Sequence, residues 1–483
     1  MTRPTMPNEY PGGSLEGAAS SLATKELLED LERVSVAFDV DDSSRADHGR
    51  DWWPLTIPDV AAGHVPRWPG VVVRPSTSGE VARVLEIASK HGVPVTAQGG
   101  RSSVVGGAVG PERSIALDLT GLNRILGIDA VSGTVSVEAG VFGPDLELAV
   151  AEQGFTVGHF PQSFALATVG GWIACRGAGQ YSNRYGKIED IVRGLDVVLA
   201  NGTMIEVGGR APRQAVGPDL VQLFVGSEGA LGVITRATLV LHPRPASEQR
   251  AAYGFADFDA GLEACRAIMQ RDARPAVLRL YDETESKRSF DLDTCVLIVL
   301  DEGDRLLVDA TMRIVADECA AAMSLDAELV ATWLEHRNDV GALAPLWERG
   351  YVVDTIEVAG TWSTLSPMRR SVLRALHELP DIAVASVHQS HAYLDGACLY
   401  FTFAARPEVD ATGLYRRAWD SVTRTVLEHG GAISHHHGIG RNRARFLPDA
   451  LGTGFGVLEE LKRQLDPLNI MNPGVLGLGG TPW

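Results

Sequence analysis

Three consecutive histidines, His435, His436 and His437, stand in the run Ile433-Ser-His-His-His-Gly-Ile-Gly440 near the carboxyl end of a 483-residue chain. Imidazole can give or take a proton near neutral pH, so such a run suits proton transfer or the steadying of an anion. In an extended segment successive side chains alternate, setting His435 and His437 on one face and His436 on the other. That is a poor arrangement for three ligands to one ion, and no metal is expected. A hydrogen-bonded structural cluster is the plain alternative for each histidine. Tyr400, in Cys-Leu-Tyr-Phe, alternates with apolar neighbours and reads as a strand residue with its hydroxyl at a cavity wall. Arg337, in Leu-Glu-His-Arg-Asn, reads by itself as a helix-surface cation, and Arg441, Arg443 and Arg445 as a solvated basic face.

Three glycine-bearing stretches in the amino half have a different chemistry. Pro94-Val-Thr-Ala-Gln-Gly-Gly-Arg-Ser-Ser103 is a strand running into small residues, whose close backbone and successive N–H groups can form an anion nest. The stretch Gly158 to Gly179 is too rich in glycine and small residues for a stable helix or strand. Ordering it costs backbone entropy, which a cofactor lying along it would offset. Gly226-Ser-Glu-Gly-Ala-Leu-Gly-Val-Ile234 leads into a β-rich stretch and leaves room for a flat ring or a ribose. Each alone is also an ordinary turn; the expectation is that all three converge on one dinucleotide.

The elements that must hold these groups are legible in outline. With 45% hydrophobic and 22% charged residues the chain is of globular composition, and its length calls for at least two domains. A net charge of −18 opposes binding along nucleic acid, so none is expected as a partner. Five widely spaced cysteines, with no Cys-x-x-Cys pair, argue against a disulfide frame and for a reducing compartment. No signal-like start or membrane-spanning run is found, so a cytoplasmic location is expected, with peripheral contact with lipid left open. Residues 1–67 read as an arm with a helix around Thr24 to Val34. VVVRP, TSGEVARVLEIASKHG and VPVTA form a β-α-β unit. FGPDLELAVAEQG is a predicted helix, and Asn201-Gly202 joins LDVVLA to MIEVG as a hairpin. Residues 246–425 alternate apolar helices with strands such as VLRLYD, CVLIVL, VASVHQ and CLYFTFAA and read as a second, substrate-covering domain. Residues 426–483 return to the first.

In this order and spacing the three stretches resemble the FAD-binding domain of the vanillyl-alcohol-oxidase or PCMH type, over residues 68–245. The resemblance implies an α+β fold: a two-subdomain FAD-binding domain plus an α+β cap. It implies that the first loop, Ala97, Gln98, Gly99, Gly100, Arg101, Ser102 and Ser103, wraps the pyrophosphate. The second, Pro161, Gln162, Ser163, Phe164, Ala165, Leu166, Ala167, Thr168, Gly170, Gly171, Cys175, Arg176, Gly177 and Ala178, passes the flavin and pyrophosphate. The third, Glu228, Gly229, Ala230, Leu231, Gly232, Val233 and Ile234, touches adenine and ribose. Members that link flavin covalently use a His or Cys in the first loop; here Gly100-Arg101-Ser102 implies non-covalent FAD. The Gly-x-Gly-x-x-Gly turn of a Rossmann site is missing from the early chain.

The triple histidine, with GHFPQSFALATVGGW, YGKIEDIV, GSEGALGVIT, LRLYD and GACLYFTFA, resembles alkyl-dihydroxyacetonephosphate synthase over most of the chain from Trp68. That resemblance implies exchange of the acyl group of an acylated dihydroxyacetone phosphate for a fatty alcohol, through a flavin N5 adduct and without net redox change. It gives Tyr400 proton exchange with substrate, places His436, His437 and His159 at the reacting centre, and assigns Arg337 to the substrate phosphate with Arg279 and His435 nearby. The substrate is then a small or lipid-like phosphate, and a homodimer is compatible with the family. The alternative is an FAD-linked oxidoreductase acting on a 2-hydroxy acid or another alcohol. Relatives of that kind hold a metal through a Gly-Asp-Gly-Asn-Leu-His strand, where this chain has Asp395-Gly-Ala-Cys-Leu-Tyr400.

Overall fold

The computed structural model describes residues 22–480 apart from Arg210, Ala342 and Leu343; the Pro/Gly-rich start of the arm lies outside the described residues. The fold is α+β, built on three main sheets. The arm supplies the helix Lys25–Arg33, capped by Thr24, whose hydroxyl accepts from the Leu27 N–H. The β-α-β unit forms from Val71–Arg74, Ser78–His91 and Val95–Gln98. Its helix starts at the Thr77 cap and stops at Gly92, held at φ +62°. The two strands are not neighbours: both pair in parallel with Ile115–Asp118, which lies between them. This small sheet packs a core of Val, Leu and Ile from both its strands and that helix.

The second subdomain is a five-stranded antiparallel sheet in the order Ile125–Asp129, Thr134–Glu138, Val233–Val240, Val192–Val198, Met204–Gly208. Asn201-Gly202 turns the last hairpin, with Gly202 at φ +83°. The predicted helix in FGPDLELAVAEQG runs Gly143–Ala151.

The cap is a seven-stranded antiparallel sheet, and its period-two alternation separates two environments. In Cys295–Gly303, Cys295, Leu297 and Val299 enter one hydrophobic core, while Val296, Ile298 and Leu300 enter another. The first core lies beneath helices Phe258–Gln270, Trp362–His377 and Ala411–Glu428; the second includes Tyr181 and Tyr185 of the FAD-binding half. Leu399, Phe401 and Phe403 therefore face the helices, and Tyr400 and Thr402 face the other half of the molecule. The carboxyl segment packs against the small sheet. Val95 donates to Ile470 at 2.7 Å, the Asn472 N–H donates to Val95 at 2.8 Å, and Ile470 and Met471 enter the core of the small sheet. All five cysteines are free.

Candidate active site

A cavity of about 460 Å³ lies where the three glycine stretches meet the cap sheet. All of the first loop lines it: Ala97, Gln98, Gly99, Gly100, Arg101, Ser102 and Ser103. So do Pro161, Gln162, Ser163, Leu166, Ala167, Thr168, Gly170, Gly171, Cys175, Gly177 and Ala178 of the second, and Glu228, Gly229, Gly232, Val233 and Ile234 of the third. The loops touch one another with no room for side chains: a Cβ on Gly99 would lie 2.2 Å from the Thr168 hydroxyl, and one on Gly100 would lie 1.5 Å from the Leu166 carbonyl. The second stretch is not wholly irregular, as its glycine content had suggested. Val169–Ala174 forms a short helix because Thr168 caps it, accepting from the Gly171 N–H at 3.3 Å.

Five expected cofactor residues lie off the cavity. Phe164 packs on Trp172, with ring centroids 6.3 Å apart, and Ala165 beside it also falls outside the lining. Arg176, at φ +56°, pairs with Glu189. Ala230 and Leu231 are buried in hydrophobic clusters, because the turn that exposes Glu228 and Gly229 folds the next two residues inward. Among the lining residues that sequence reasoning missed are Trp52 from the arm, Val105 and Ala108, and Ser390, His388 and His391 from the cap.

The cap wall is polar because alternate strand residues turn toward the cavity. Arg279 donates to His388 Nε2 at 2.6 Å, and His388 Nδ1 meets Glu285 at 2.7 Å. Burial first, and then the Arg279 guanidinium, push His388 down to about 4, so it is neutral near pH 7, donating from Nδ1 and accepting at Nε2. Glu285, fully enclosed, is held down at about 2: burial alone would raise it, but His388 outweighs that. The Tyr400 hydroxyl accepts from Thr355 at 3.1 Å and lies 3.3 Å from His437 Nε2; burial raises its pKa. A register shift between Gln389 and His391 brings His391 opposite Cys398, on the same side as Tyr400. His391 lies in SHAYLD, a stretch that carried no signal in the sequence. His159 also lines the cavity, completely buried, with both ring nitrogens lacking a hydrogen-bond partner and burial lowering it to about 3.

The histidine triplet is not extended, which corrects the alternating arrangement. It bends around Glu357, whose Oε1 accepts the backbone N–H groups of His435 at 3.2 Å, His436 at 3.2 Å and His437 at 2.8 Å. Ser434 Oγ donates to the same oxygen at 2.7 Å, and Arg443 pairs with the carboxylate. His436 and His437 consequently reach the cavity while His435 lies behind them, against His391 and Tyr393. The solvated basic face is likewise corrected. Arg443 is 0% exposed on Glu357, Arg441 is buried with its Nε on the Val109 carbonyl, and only Arg445 is half-exposed, on Asp420. Burial works to raise Glu357, yet Arg443 and the neighbouring histidines hold it well below the carboxylate range. Glu357 had no sequence signal, since its partners lie far along the chain from its own strand. Arg337 lies off the cavity lining, its guanidinium over the rings of Tyr181 at 4.9 Å, Phe160 at 5.6 Å and Trp333 at 5.7 Å, and 3.5 Å from Gln180 Oε1.

The donor set fits a flavin dinucleotide. The loops offer a groove free of side chains, and the wall offers unpartnered buried polar atoms at His159, Arg279 Nε and Ser390 Oγ. Among the described residues His391, His435 and His436 bring one ligand nitrogen each within 4.8 Å of the others.

Comparison with known proteins agrees with this. Residues 69–208 match the model of an FAD binding domain, and residues 244–476 that of the C-terminal domain of FAD linked oxidases. An uncharacterized FAD-linked oxidoreductase, YgcU of Escherichia coli K12, is 33% identical over 449 residues, 87% of this chain and 91% of its own. Alkyldihydroxyacetonephosphate synthase of Dictyostelium discoideum is 29% identical, covering 86% of this chain and 74% of its own. Glycolate oxidase subunit GlcD of Bacillus subtilis is 29% identical over 94% and 97%. A solved alkyldihydroxyacetonephosphate synthase superposes with a TM-score of 0.79 at 26% identity, over 97% of this chain and 88% of that one. The chain therefore belongs to the FAD-linked oxidoreductase family and is an FAD-dependent enzyme.

Proposed function

We propose that the enzyme exchanges the acyl group of an acylated dihydroxyacetone phosphate for a fatty alcohol. The observation that carries this reading is the chemistry of the cap wall. Arg279, which has no carboxylate partner in the ion pairs of the described residues, lines one cavity with the Tyr400 phenol and the His436 and His437 imidazoles. A guanidinium so placed, with Arg337 against the lining residue Gln180, suits a phosphate head, which a planar fork can hold through paired oxygens. Neutral imidazoles and a phenol suit the movement of a substrate proton and of an alcohol hydroxyl.

The three loops would hold FAD, which when bound would supply an electron-pair sink. Tyr400 passes its hydroxyl proton to His437 Nε2, 3.3 Å away, as its oxygen takes the substrate proton, and the return step reverses both transfers. His436 and His437 orient the incoming alcohol, and His159, neutral through burial, lines the same cavity without adding charge. Glu285, through His388, fixes Arg279, and Glu357 fixes the triplet.

A second reading, oxidation of a 2-hydroxy acid or another alcohol, is favoured by the relatives described as oxidoreductases and by the same wall, since an arginine, a phenol and imidazoles also suit a carboxylate and an alcohol proton. One experiment separates the two. The purified yellow protein is mixed anaerobically with an acyl-dihydroxyacetone phosphate plus a fatty alcohol and, separately, with a panel of 2-hydroxy acids, following the flavin spectrum and fatty-acid release. Release with FAD recovered oxidised supports the exchange; stoichiometric bleaching by a hydroxy acid refutes it in favour of oxidation.

A further inference from the structure

We infer that Tyr393, His435 and His436 form a proton relay from the flavin cavity to the outer edge of the cap. Its links are short: His436 Nδ1 lies 2.9 Å from His435 Nδ1, and His435 Nε2 lies 2.8 Å from the Tyr393 hydroxyl. Only His436 of the three lines the cavity. Tyr393 occupies the hairpin tip between strands Ile382–Ala392 and Gly396–Ala405, half-buried itself and followed by the exposed Leu394 and Asp395. His435 thus bridges an inner residue and an outer one, using both ring nitrogens.

The surroundings hold the chain in line. His391 stacks on His435 with centroids 4.7 Å apart, and its Nδ1 lies 2.8 Å from Ser182 Oγ, which is itself 3.4 Å from the Tyr393 hydroxyl. Glu357 fixes the backbone of His435 and His436. Lys187 stands 4.9 Å over the Tyr393 ring. Glu357, Lys187, His436, His437 and His391 are the charged or titratable groups facing His435, and Cys398, Lys187, Glu189 and Asp190 those facing Tyr393.

A relay is needed because a proton must leave the cavity. The inference rests on the proposed reading only to that extent. In the exchange, the alcohol O–H bond breaks, its oxygen bonds to the carbon that loses the carboxylate with its electron pair, and one proton remains. In alcohol oxidation, the carbon would lose a hydride, for which bound FAD would supply the acceptor, and the hydroxyl proton remains. His436 takes that proton; its Nδ1–H bond breaks as one forms at His435 Nδ1, the His435 Nε2–H proton passes to Tyr393, and the Tyr393 hydroxyl proton passes to water.

The test uses the FAD-loaded full chain with whichever of the two substrate classes turns over, so failure of the exchange reading (no fatty acid released) is separate from failure of the relay. Tyr393→Phe removes one oxygen and keeps the ring. Its kcat should fall about 100-fold with KM and flavin spectrum unchanged and with a larger solvent deuterium effect, while His435→Ala should regain turnover in added imidazole. Wild-type kcat and isotope effect in Tyr393→Phe overturn the relay, as does one equivalent of zinc bound by the wild type and lost in His391→Ala. Independently of turnover, ¹⁵N-histidine spectra should show His435 and His436 shifting together when Tyr393 is replaced; a shift in neither overturns the coupling.

Discussion

Glu357→Gln is the substitution that probes the site's framework most directly. The carboxylate is 0% exposed, pairs with the 0% exposed Arg443, and accepts three successive backbone N–H groups and the Ser434 hydroxyl. A glutamine has the same shape, but it removes the negative charge and turns an NH₂ group toward donors. Removing one partner of a buried ion pair costs about 3–5 kcal/mol, because the remaining charge stays desolvated. At roughly 2–4 °C per kcal/mol for a unit the size of the cap, a 3 kcal/mol loss lowers its melting by about 6–12 °C. Differential scanning calorimetry of the FAD-loaded enzyme reads this as a shift of one transition. Glu357 does not line the cavity, so flavin content should persist while kcat falls as the triplet loosens. A variant melting within a degree or two of wild type, with unchanged kcat, would refute the view that Glu357 holds the histidines in place.

Further outcomes follow from the same geometry. Gly100→Ala drives a Cβ into the Leu166 carbonyl, separating the first and second loops, and should give protein with little bound flavin, read by absorbance after gel filtration. Arg279→Met removes a charged hydrogen-bond donor worth about 1.5–3 kcal/mol, raising KM for an anionic substrate by about 10- to 150-fold with the yellow colour kept; loss of FAD would show that the arginine serves the cofactor. Tyr400→Phe should lower kcat about 100-fold with little change in KM, measured by steady-state kinetics. Burial makes three histidines acid-sensitive supports of the fold. His388 and His435, each lowered to about 4, and His159, lowered to about 3, bind protons more weakly folded than unfolded. Their stabilising contribution is complete above about pH 6.5 and is lost as the pH falls toward 4 and then 3. Histidine NMR should show these three rings unprotonated down to about pH 5, and a midpoint near 6.5 would contradict neutral buried histidines.

Local signals in the sequence determined much of this protein. The Thr77 cap and Gly92 stop bound a helix, Asn201-Gly202 turned a hairpin, and period-two alternation set Tyr400 apart from Leu399 and Phe401, because each depends on a few bonded neighbours. The glycine loops were legible for the same reason, since close backbone approach leaves a compositional mark. What the tertiary structure alone decided depends on contacts between distant segments. The triplet bends because Glu357, 78 residues before its first histidine, gathers its N–H groups. A register shift near Gln389 turns His391 toward the cavity, and Arg443 is buried because it answers Glu357. Alternation presumes a regular strand, and solvent exposure presumes no partner. Each presumption fails where a residue far along the chain supplies the missing hydrogen bond or charge.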